Sequence, residues 1–449
     1  MGLDLTITRP LGRRRLVSYS KNCSNGESFR PLCGEAAETF RKRSPTRVGS
    51  APIKLDRSLG WTGAKMSCQA REIQWRQEEA DRRRPLVNHL QFITAVPSNV
   101  SRGSGCYVGT RTLVEALGHL GTNVTMITPG IITPIYTTTR ILFNETLRWR
   151  RFNGDATIGI DADGYAIAGR RKSVPHIACI KGVLGDAVPF ESGVTRMSMS
   201  LQARLEAKHA LRAALVITVS RYCAERLEEL YGARNAVVVP ELIELDAWRQ
   251  LFRANAVADS GKFTVLSVCR FYPRKRLEVL LRAAALLRGT LPEIEIRVVG
   301  NGPEYGRLRR ICHQLRLEPM VRWLGDLSRS RLAAEYNQAK VFCLPSIQEG
   351  FGIVFLEAMA AGKPIVASRA AAIPEVVRNG ILVEPDNPEA LADGLLRLYR
   401  DPDLCQRLGA AGLRDVERFE MHRVARQFLT EVAKVASGIT VPEGVVGAN

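Results

Sequence analysis

The sequence predicts an α/β protein made of two facing Rossmann-like domains with a cleft between them. Three observations carry this. Short apolar runs of strand length alternate with helical patterns from about Leu86 onward. The alternation starts again, strand first, near residue 260. Glycine-bearing loops stand where strands lead into helices, the position at which such sheets bind ligands.

The first domain is expected over 86–255. Leu90–Val96 reads as a strand, followed by the loop Ser101–Gly105 with Gly103 and Gly105. Tyr107–Leu120 carries Val108, Leu113, Val114 and Leu117 near helical spacing, with Gly121 as its stop. Val124–Thr128 is the next strand, completing a β-loop-α-β unit. Further strands are expected at Ala156–Ile160, Ile177–Ile180, Leu215–Val219 and Ala236–Val239, and helices at Arg140–Arg150, Ser198–Ala214 and Arg221–Tyr231. The stretch from Pro240 to about Ser260 reads as irregular, and the domain boundary is placed there. In the second domain, 256–417, strands are expected at Phe263–Val268, Ile294–Val299, Val321–Leu324, Val341–Leu344 and Pro364–Ala367. Helices are expected at Leu277–Arg288, Pro303–Gln314, Arg329–Asn337 and Ile353–Ala361. A helix over 418–436 is expected to cross back to the first domain, leaving a tail at 437–449.

The 449 residues are 45% hydrophobic and 24% charged, enough for sizeable cores. No apolar run is long enough for a membrane span. The first fifteen residues are too polar for a secretory signal, and Met1-Gly2 with Thr6 fits the loose myristoylation pattern only by chance. Ten scattered cysteines, with no Cys-x-x-Cys, argue against a zinc site and a disulfide framework, so a cytoplasmic protein is expected and the sequons at Asn99 and Asn123 are read as accidental. The net charge is +19, and by count residues 1–86 hold 18 basic and 9 acidic residues. Residues 1–85 lack periodicity and read as a basic, disordered extension, unless translation starts downstream at Met66. Lys/Arg runs with interleaved aromatics are missing, so nucleic-acid binding is not expected. Peripheral association with an anionic membrane remains compatible with the charge.

The informative chemistry lies in the second half. Glu349-Gly350-Phe351-Gly352 follows a strand and leads into a helix that carries Glu357. A helix start offers unpaired amides and partial positive charge, and Gly350 and Gly352 allow close approach of a ligand. Glu349 can bond sugar hydroxyls, and Glu357 can reach another part of the same ligand. Arg270 and Lys275 follow the strand Phe263–Val268, where two cations can clamp a diphosphate. Gly300-Asn301-Gly302-Pro303 makes a tight turn near a ligand; with Gly306 it falls one residue out of the dinucleotide pattern, which is poor evidence for NAD. Asp161-Ala162-Asp163-Gly164 reads as a turn or cleft-facing loop rather than a metal site, and His176 as structural.

Val265 to about Leu396 carries Val-Leu-Ser-Val-Cys-Arg-Phe, Val-Gly-Asn-Gly-Pro, Trp-Leu-Gly-Asp, Leu-Pro-Ser, Glu-Gly-Phe-Gly, Leu-Glu-Ala-Met-Ala-Ala-Gly-Lys-Pro-Ile-Val-Ala-Ser and Ile-Pro-Glu-Val-Val in order. This series resembles the glycosyltransferase family 4 (group 1) enzymes of the GT-B fold. The resemblance implies a retaining, hexosyl-type glycosyltransferase of carbohydrate biosynthesis. It implies a UDP- or GDP-linked sugar as substrate, an unidentified glycan, lipid-linked or small-molecule acceptor, and no cofactor or metal. It implies that Arg270 and Lys275 bind the diphosphate, Glu349 the sugar and Glu357 the ribose, with Phe351 and Gly352 amides facing sugar and phosphates and Gly302 nearby. Over about Leu86 to Trp248 the resemblance is looser, and Gly103 and Gly105 match the glycine loop near the phosphates. Three departures stand out: Lys181-Gly182 where many members have His-Gly, Pro240-Glu241-Leu242-Ile243-Glu244 where many have Pro-Asn-Gly-Val-Asp, and Cys269 where glycine is usual. The competing readings are a nucleotide-sugar epimerase on the same architecture, a non-catalytic nucleotide-sugar-binding module, and a basic nucleic-acid or membrane-surface protein with a tail.

Overall fold

The computed structural model describes residues 87–95, 105–170, 174–256 and 261–437. The expectations for residues 1–85, for Gly103 and for the tail beyond Ser437 lie outside them.

Two six-stranded sheets form the frame. The first holds β1 (His89–Ile93), β2 (Asn123–Ile127), β3 (Ala156–Ile160), β4 (His176–Ile180), β5 (Leu215–Thr218) and β6 (Ala236–Val238), in the order β2-β1-β3-β4-β5-β6. The second holds β7 (Phe263–Val268), β8 (Ile294–Val299), β9 (Val321–Gly325), β10 (Val341–Leu344), β11 (Ile365–Ser368) and β12 (Ile381–Val383), in the order β12-β11-β10-β7-β8-β9. Every pairing is parallel. β3, β4, β5, β7 and β10 are buried at every position, as strands covered on both faces must be. Strand order reverses between β1 and β3 and between β7 and β10, which opens a crevice at the C-terminal end of each sheet.

The helices associated with the first sheet are α1 (Gly105–His119), α2 (Tyr136–Thr146), α3 (Leu184–Ala187), α4 (Gly193–Arg212) and α5 (Arg221–Tyr231). Those following it are α6 (Leu245–Ala254), α7 (Leu277–Leu287), α8 (Tyr305–Gln314), α9 (Arg329–Gln338), α10 (Ile353–Ala360), α11 (Ile373–Val376), α12 (Pro388–Arg400), α13 (Pro402–Asp415) and α14 (Met421–Ala436). Local chemistry marks several ends. Ser220 caps α5, its hydroxyl accepting the Cys223 N–H, and Gly232 closes it in the left-handed conformation.

The structure corrects three expectations. The stretch read as irregular contains α6. Its Trp248 ring lies 5.3 Å from Phe252 and meets Tyr336 of α9 edge-on at 6.0 Å, and Asn337 donates to the Phe252 and Asn255 carbonyls. That packing sets α6 against α9. Pro240 and the charged run after it masked an apolar stripe that begins at Leu245. Helix α2 starts at Tyr136, before Arg140, and gives way to a 3-10 turn at Leu147–Trp149. Its threonines look unfavourable for a helix, yet Thr137 and Thr139 are buried, and Thr137 bonds Ser198 on α4. Helix α4 itself begins at Gly193 rather than Ser198.

The lobes are joined at two adjacent crossings. Ile243 N–H donates to the Phe419 carbonyl (3.0 Å) and Met421 N–H to the Ile243 carbonyl (3.1 Å). Beyond this point α14 packs on α1 of the first lobe, burying Met421, Val424, Ala425, Phe428, Leu429 and Val432, with Phe428 6.2 Å from Phe92. One apolar cluster runs from Ile180, Val219 and Leu227 of the first lobe to Leu266, Phe342 and Phe355 of the second. Each such side chain contributes about 1.5–3 kcal/mol by leaving water, so the relation of the lobes rests on packing as well as on polar contacts.

Candidate functional site

A cavity of about 600 Å³ lies between the lobes and is lined by both. Its second-lobe wall begins where β7 ends. Gly300, with φ +115°, brings the end of β8 against the Cys269 carbonyl, a contact that leaves no room for a side chain. Arg270 lines the cavity and pairs with Asp326 at 3.4 Å. Lys275 ends the short 3-10 turn Pro273–Lys275, and its ammonium forms a close ion pair with Glu349. Both side chains are nearly buried, at 12% and 9% exposure, and the Ser346 hydroxyl also donates to Glu349 at 3.0 Å. Two groups 74 residues apart in the chain thus meet at the β7/β10 crevice.

Gly352 precedes α10 with φ +89° and no side-chain cap, and a Cβ there would lie 2.6 Å from the Phe355 ring. Gly352, Ile353 and Val354 all line the cavity, so the amides at the start of α10 open onto it. Glu357 follows just over one turn later. Its buried carboxyl accepts the Tyr336 hydroxyl at 2.9 Å. Burial pushes its pKa up to about 7, against the opposing pull of Tyr336 and Arg329.

The first-lobe wall carries charges that sequence reasoning gave no role. Lys181 lies 2.8 Å from both oxygens of Glu241, with exposures of 5% and 4%. Burial works against the lysine's charge, and Glu241 outweighs it, holding the lysine above its usual range. Glu241 occupies the space that a side chain at Gly109 of α1 would fill. Asp161, with φ +52°, accepts the Lys181 N–H at 2.9 Å and the Cys106 thiol at 3.2 Å. Asp163, by contrast, is fully buried and held by Arg140, Asn144 and the Ala95 N–H. The Asp-x-Asp segment is therefore a turn with one structural and one cavity-facing carboxylate. His176 is buried and shares a 2.8 Å contact with His209, whose pKa burial pulls down to about 4. Among the described residues no group of His, Cys, Asp and Glu is arranged to hold a metal ion.

A polar seam crosses the gap beside the cavity. The Ser220 hydroxyl and Cys223 thiol of the first lobe donate to the Gly350 carbonyl at 2.8 and 3.4 Å. Glu375 of the second lobe accepts the N–H groups of Arg221 and Tyr222 at the start of α5, at 2.9 and 2.7 Å. Gln348 donates to Asp186 at 2.9 Å.

Eight of the anticipated residues converge on this cavity: Gly105, Arg270, Lys275, Glu349, Gly350, Phe351, Gly352 and Glu357. Gly302 is not among its lining residues. A Cβ there would stand 2.6 Å from the Phe271 nitrogen, so this glycine serves the turn, and Gly300 reaches the cavity in its place. Gly103 lies outside the described residues. The Lys181–Glu241 pair had a signal in the sequence. Two of the departures introduced one charge each, of opposite sign, and the fold makes them partners.

Residues 249–415 match the family model described as Glycosyl transferases group 1. The phosphatidyl-myo-inositol mannosyltransferase of Mycobacterium tuberculosis is 35% identical over 211 residues, covering 45% of this chain and 55% of that protein. The D-inositol 3-phosphate glycosyltransferase of Streptomyces bingchenggensis is 35% identical over 223 residues, covering 45% of this chain and 49% of that protein. The chain thus spans about half the length of the curated relatives it matches. Among solved structures, the sucrose-phosphate synthase of Thermosynechococcus elongatus superimposes over 78% of this chain and all of its own, with a TM-score of 0.67 and 21% identity. HepE of Anabaena, solved with UDP-glucose, superimposes over 79% of this chain and all of its own, with a TM-score of 0.58 and 18% identity. The two parallel sheets, the cleft between them and these likenesses agree, and the chain is a GT-B-fold protein related to the group 1 (family 4) glycosyltransferases.

Proposed function

We propose that this protein is a retaining glycosyltransferase that moves a sugar from a UDP- or GDP-linked donor to an acceptor held at the first lobe. One observation carries the reading: Arg270, Lys275, Glu349, Glu357 and the uncapped start of α10 all face one interlobe cavity. Breaking the bond between the anomeric carbon and the phosphate leaves negative charge on the diphosphate and positive charge on the sugar. Arg270, Lys275 and the α10 amides oppose the first, and fixed groups of this kind are worth about 3 kcal/mol each. Glu349 accepts sugar hydroxyls and Glu357 ribose hydroxyls. The Lys275–Glu349 pair holds both side chains in place before the donor arrives. The acceptor enters past Lys181, Glu241 and Met199, on the face from which the diphosphate leaves. Contact between the lobes limits attack by water.

The relatives named for inositol 3-phosphate and phosphatidyl-myo-inositol put inositol phosphates and their lipids first among acceptors to test. The proposed location is the cytoplasm, with peripheral attachment to the inner face of a membrane. The buried thiols of Cys179, Cys223, Cys312 and Cys343 favour a reducing compartment. Among the described residues no helix is long and apolar enough to cross a membrane.

A thermal-shift screen of nucleotide sugars, followed by NMR of the product anomer, tests the reading. Glu349→Ala and Lys275→Ala should each lower turnover by about 10²–10³-fold with the circular dichroism spectrum retained. Normal turnover in both variants refutes it.

A further inference from the structure

Behind the first-lobe wall of the cavity lies a pair of buried histidines that the transfer chemistry leaves unused. His176 is the first residue of β4 and His209 stands on the inner face of α4; their Nε2 atoms are 2.8 Å apart. Two glycines make room for the rings. A Cβ on Gly159 would stand 2.7 Å from the His209 ring, and one on Gly164 2.6 Å from the His176 ring. The hydrogen positions follow from the partners. The Asp161 carbonyl, 2.5 Å from His209 Nδ1, can only accept, so Nδ1 carries a hydrogen. Burial, with a smaller push from Arg140, pulls the His209 pKa down to about 4 against the opposing bond to Asp161. At neutral pH its Nε2 is therefore a bare acceptor, and His176 Nε2 supplies the hydrogen between the rings. The Thr157 hydroxyl, 2.8 Å from His176 Nδ1, closes the row.

What the row holds is Asp161. Its backbone is left-handed, with φ +52°, a conformation that persists for such a residue only where the surroundings over-determine it. His209 fixes its carbonyl, and its N–H donates to the Cys179 carbonyl at 2.9 Å. Held this way, the carboxylate reaches the Lys181 N–H and the Cys106 thiol, and both of those residues line the cavity. One turn earlier on α4, Glu206 accepts the Leu184 N–H at 2.7 Å and the Tyr231 hydroxyl at 2.8 Å. The inner face of α4 thus supports the wall at two points, His209 through Asp161 and Glu206 through Leu184. The other titratable groups around the pair are Glu206 on α4, Cys179 on β4, Asp161 and Asp163 on the turn, and Arg140 on α2. Burial raises Glu206 to about 8 and Cys179 to about 12, so neither changes charge in acid. Burial also raises Asp163, which is paired with Arg140 and is the rival acceptor of a proton in acid.

We infer that His209, backed by His176, is a positioning residue: the neutral pair fixes Asp161 and the first-lobe wall, and a proton taken up between the rings releases both. That proton leaves two hydrogens and no acceptor between the facing nitrogens. The consequence for turnover rests on the glycosyl-transfer reading; the release itself does not. An ordinary histidine charges near about pH 6.5, so the support is complete above that pH and is lost as pH falls toward about 4. The test labels the full chain with dithiodipyridine at neutral pH and at about pH 4.5, with mass spectrometry locating each modified thiol. In the parent, labelling of Cys106 relative to the half-buried Cys405 should rise at least tenfold in acid, while the core thiol of Cys343 stays unlabelled. His209→Asn keeps an amide donor for the Asp161 carbonyl but takes up no proton, and should hold Cys106 slow at both pH values. His209→Ala should label fast at both. A parent without the acid step overturns the inference, as does slow labelling in the alanine variant. An acid step that survives in the asparagine variant also overturns it, because Asp163 then carries the proton. Cys343 reacting in step with Cys106 marks global unfolding and overturns it too. If the variants fail to fold, nitrogen-15 NMR of the six histidines in the parent decides: one must show the Nδ1–H form at neutral pH, and a spectrum without it refutes the assignment. Failure of the transfer reading would appear separately, as this labelling pattern in a protein that binds no nucleotide sugar.

Discussion

Glu375→Ala should loosen the closed arrangement of the lobes and weaken donor binding without touching the donor. The carboxylate accepts the first two amides of α5 across the gap, at 2.9 and 2.7 Å, and is 24% exposed. A hydrogen bond to a charged group contributes about 1.5–3 kcal/mol, and a carboxylate at a helix N-terminus about 0.3–1 kcal/mol. Partial exposure puts the sum at the low end, about 2 kcal/mol of attachment between lobes. At 1.4 kcal/mol per factor of ten, the closed-to-open ratio falls about thirtyfold. The effect reaches the site because Ser220 and Cys223, at the same helix start, hold the Gly350 carbonyl. Small-angle scattering of the unliganded protein should show a larger radius of gyration. Calorimetry should show nucleotide-sugar affinity lowered by up to that factor, since only the closed fraction binds with both lobes. Glu375→Gln keeps an acceptor oxygen but no charge and should fall between. Scattering and affinity identical to the parent's in the alanine variant would refute the argument.

Three other outcomes follow from the geometry. Glu241→Ala leaves the Lys181 ammonium buried without its partner and should cost about 3–5 kcal/mol in urea unfolding, whereas Lys181→Met combined with Glu241→Leu should recover most of that loss. Gly352→Ala forces a side chain into a left-handed conformation and onto the Phe355 ring; strain of about 1–2 kcal/mol plus overpacking of about 1–3 kcal/mol should lower the melting temperature and the donor affinity together. Glu357 keeps its proton to about pH 7 in the folded protein but releases it at lower pH in the unfolded chain. Its contribution to stability is therefore present at acid pH and lost as pH rises through that window. Nucleotide-sugar affinity should rise over the upper part of the same window, because the ionised carboxylate accepts ribose hydroxyls better. Calorimetry across that range should show the rise in the parent and a flat profile in Glu357→Gln; a flat parent would sink the assignment.

Much of the second-lobe wall of the cavity was legible in the linear chain, because its residues sit at fixed offsets from strand ends. Arg270 and Lys275 follow β7, and Glu349, Gly350 and Gly352 stand between β10 and α10, so reading the strands already put them at one edge of one sheet. Gly302 shows the limit of that logic. Which of two nearby glycines reaches a ligand depends on which one the Phe271 backbone covers. Helix α6 was hidden because a breaker signal at Pro240 outweighed a short apolar stripe whose partner, Tyr336, lies far along the chain.

The amino-acid order alone determined the alternation of strands and helices, the two-lobed class and the residues that gather at the second crevice, since those depend on local period and on spacing from strand ends. Tertiary structure decided the rest. It made Lys181 and Glu241 a pair, set Glu375 over the start of α5, turned Asp163 into the core and Asp161 into the cavity, and brought Thr137 of α2 against Ser198 of α4. Each of these joins groups from segments well apart in the chain or turns a side chain by packing, and neither is encoded in a local pattern.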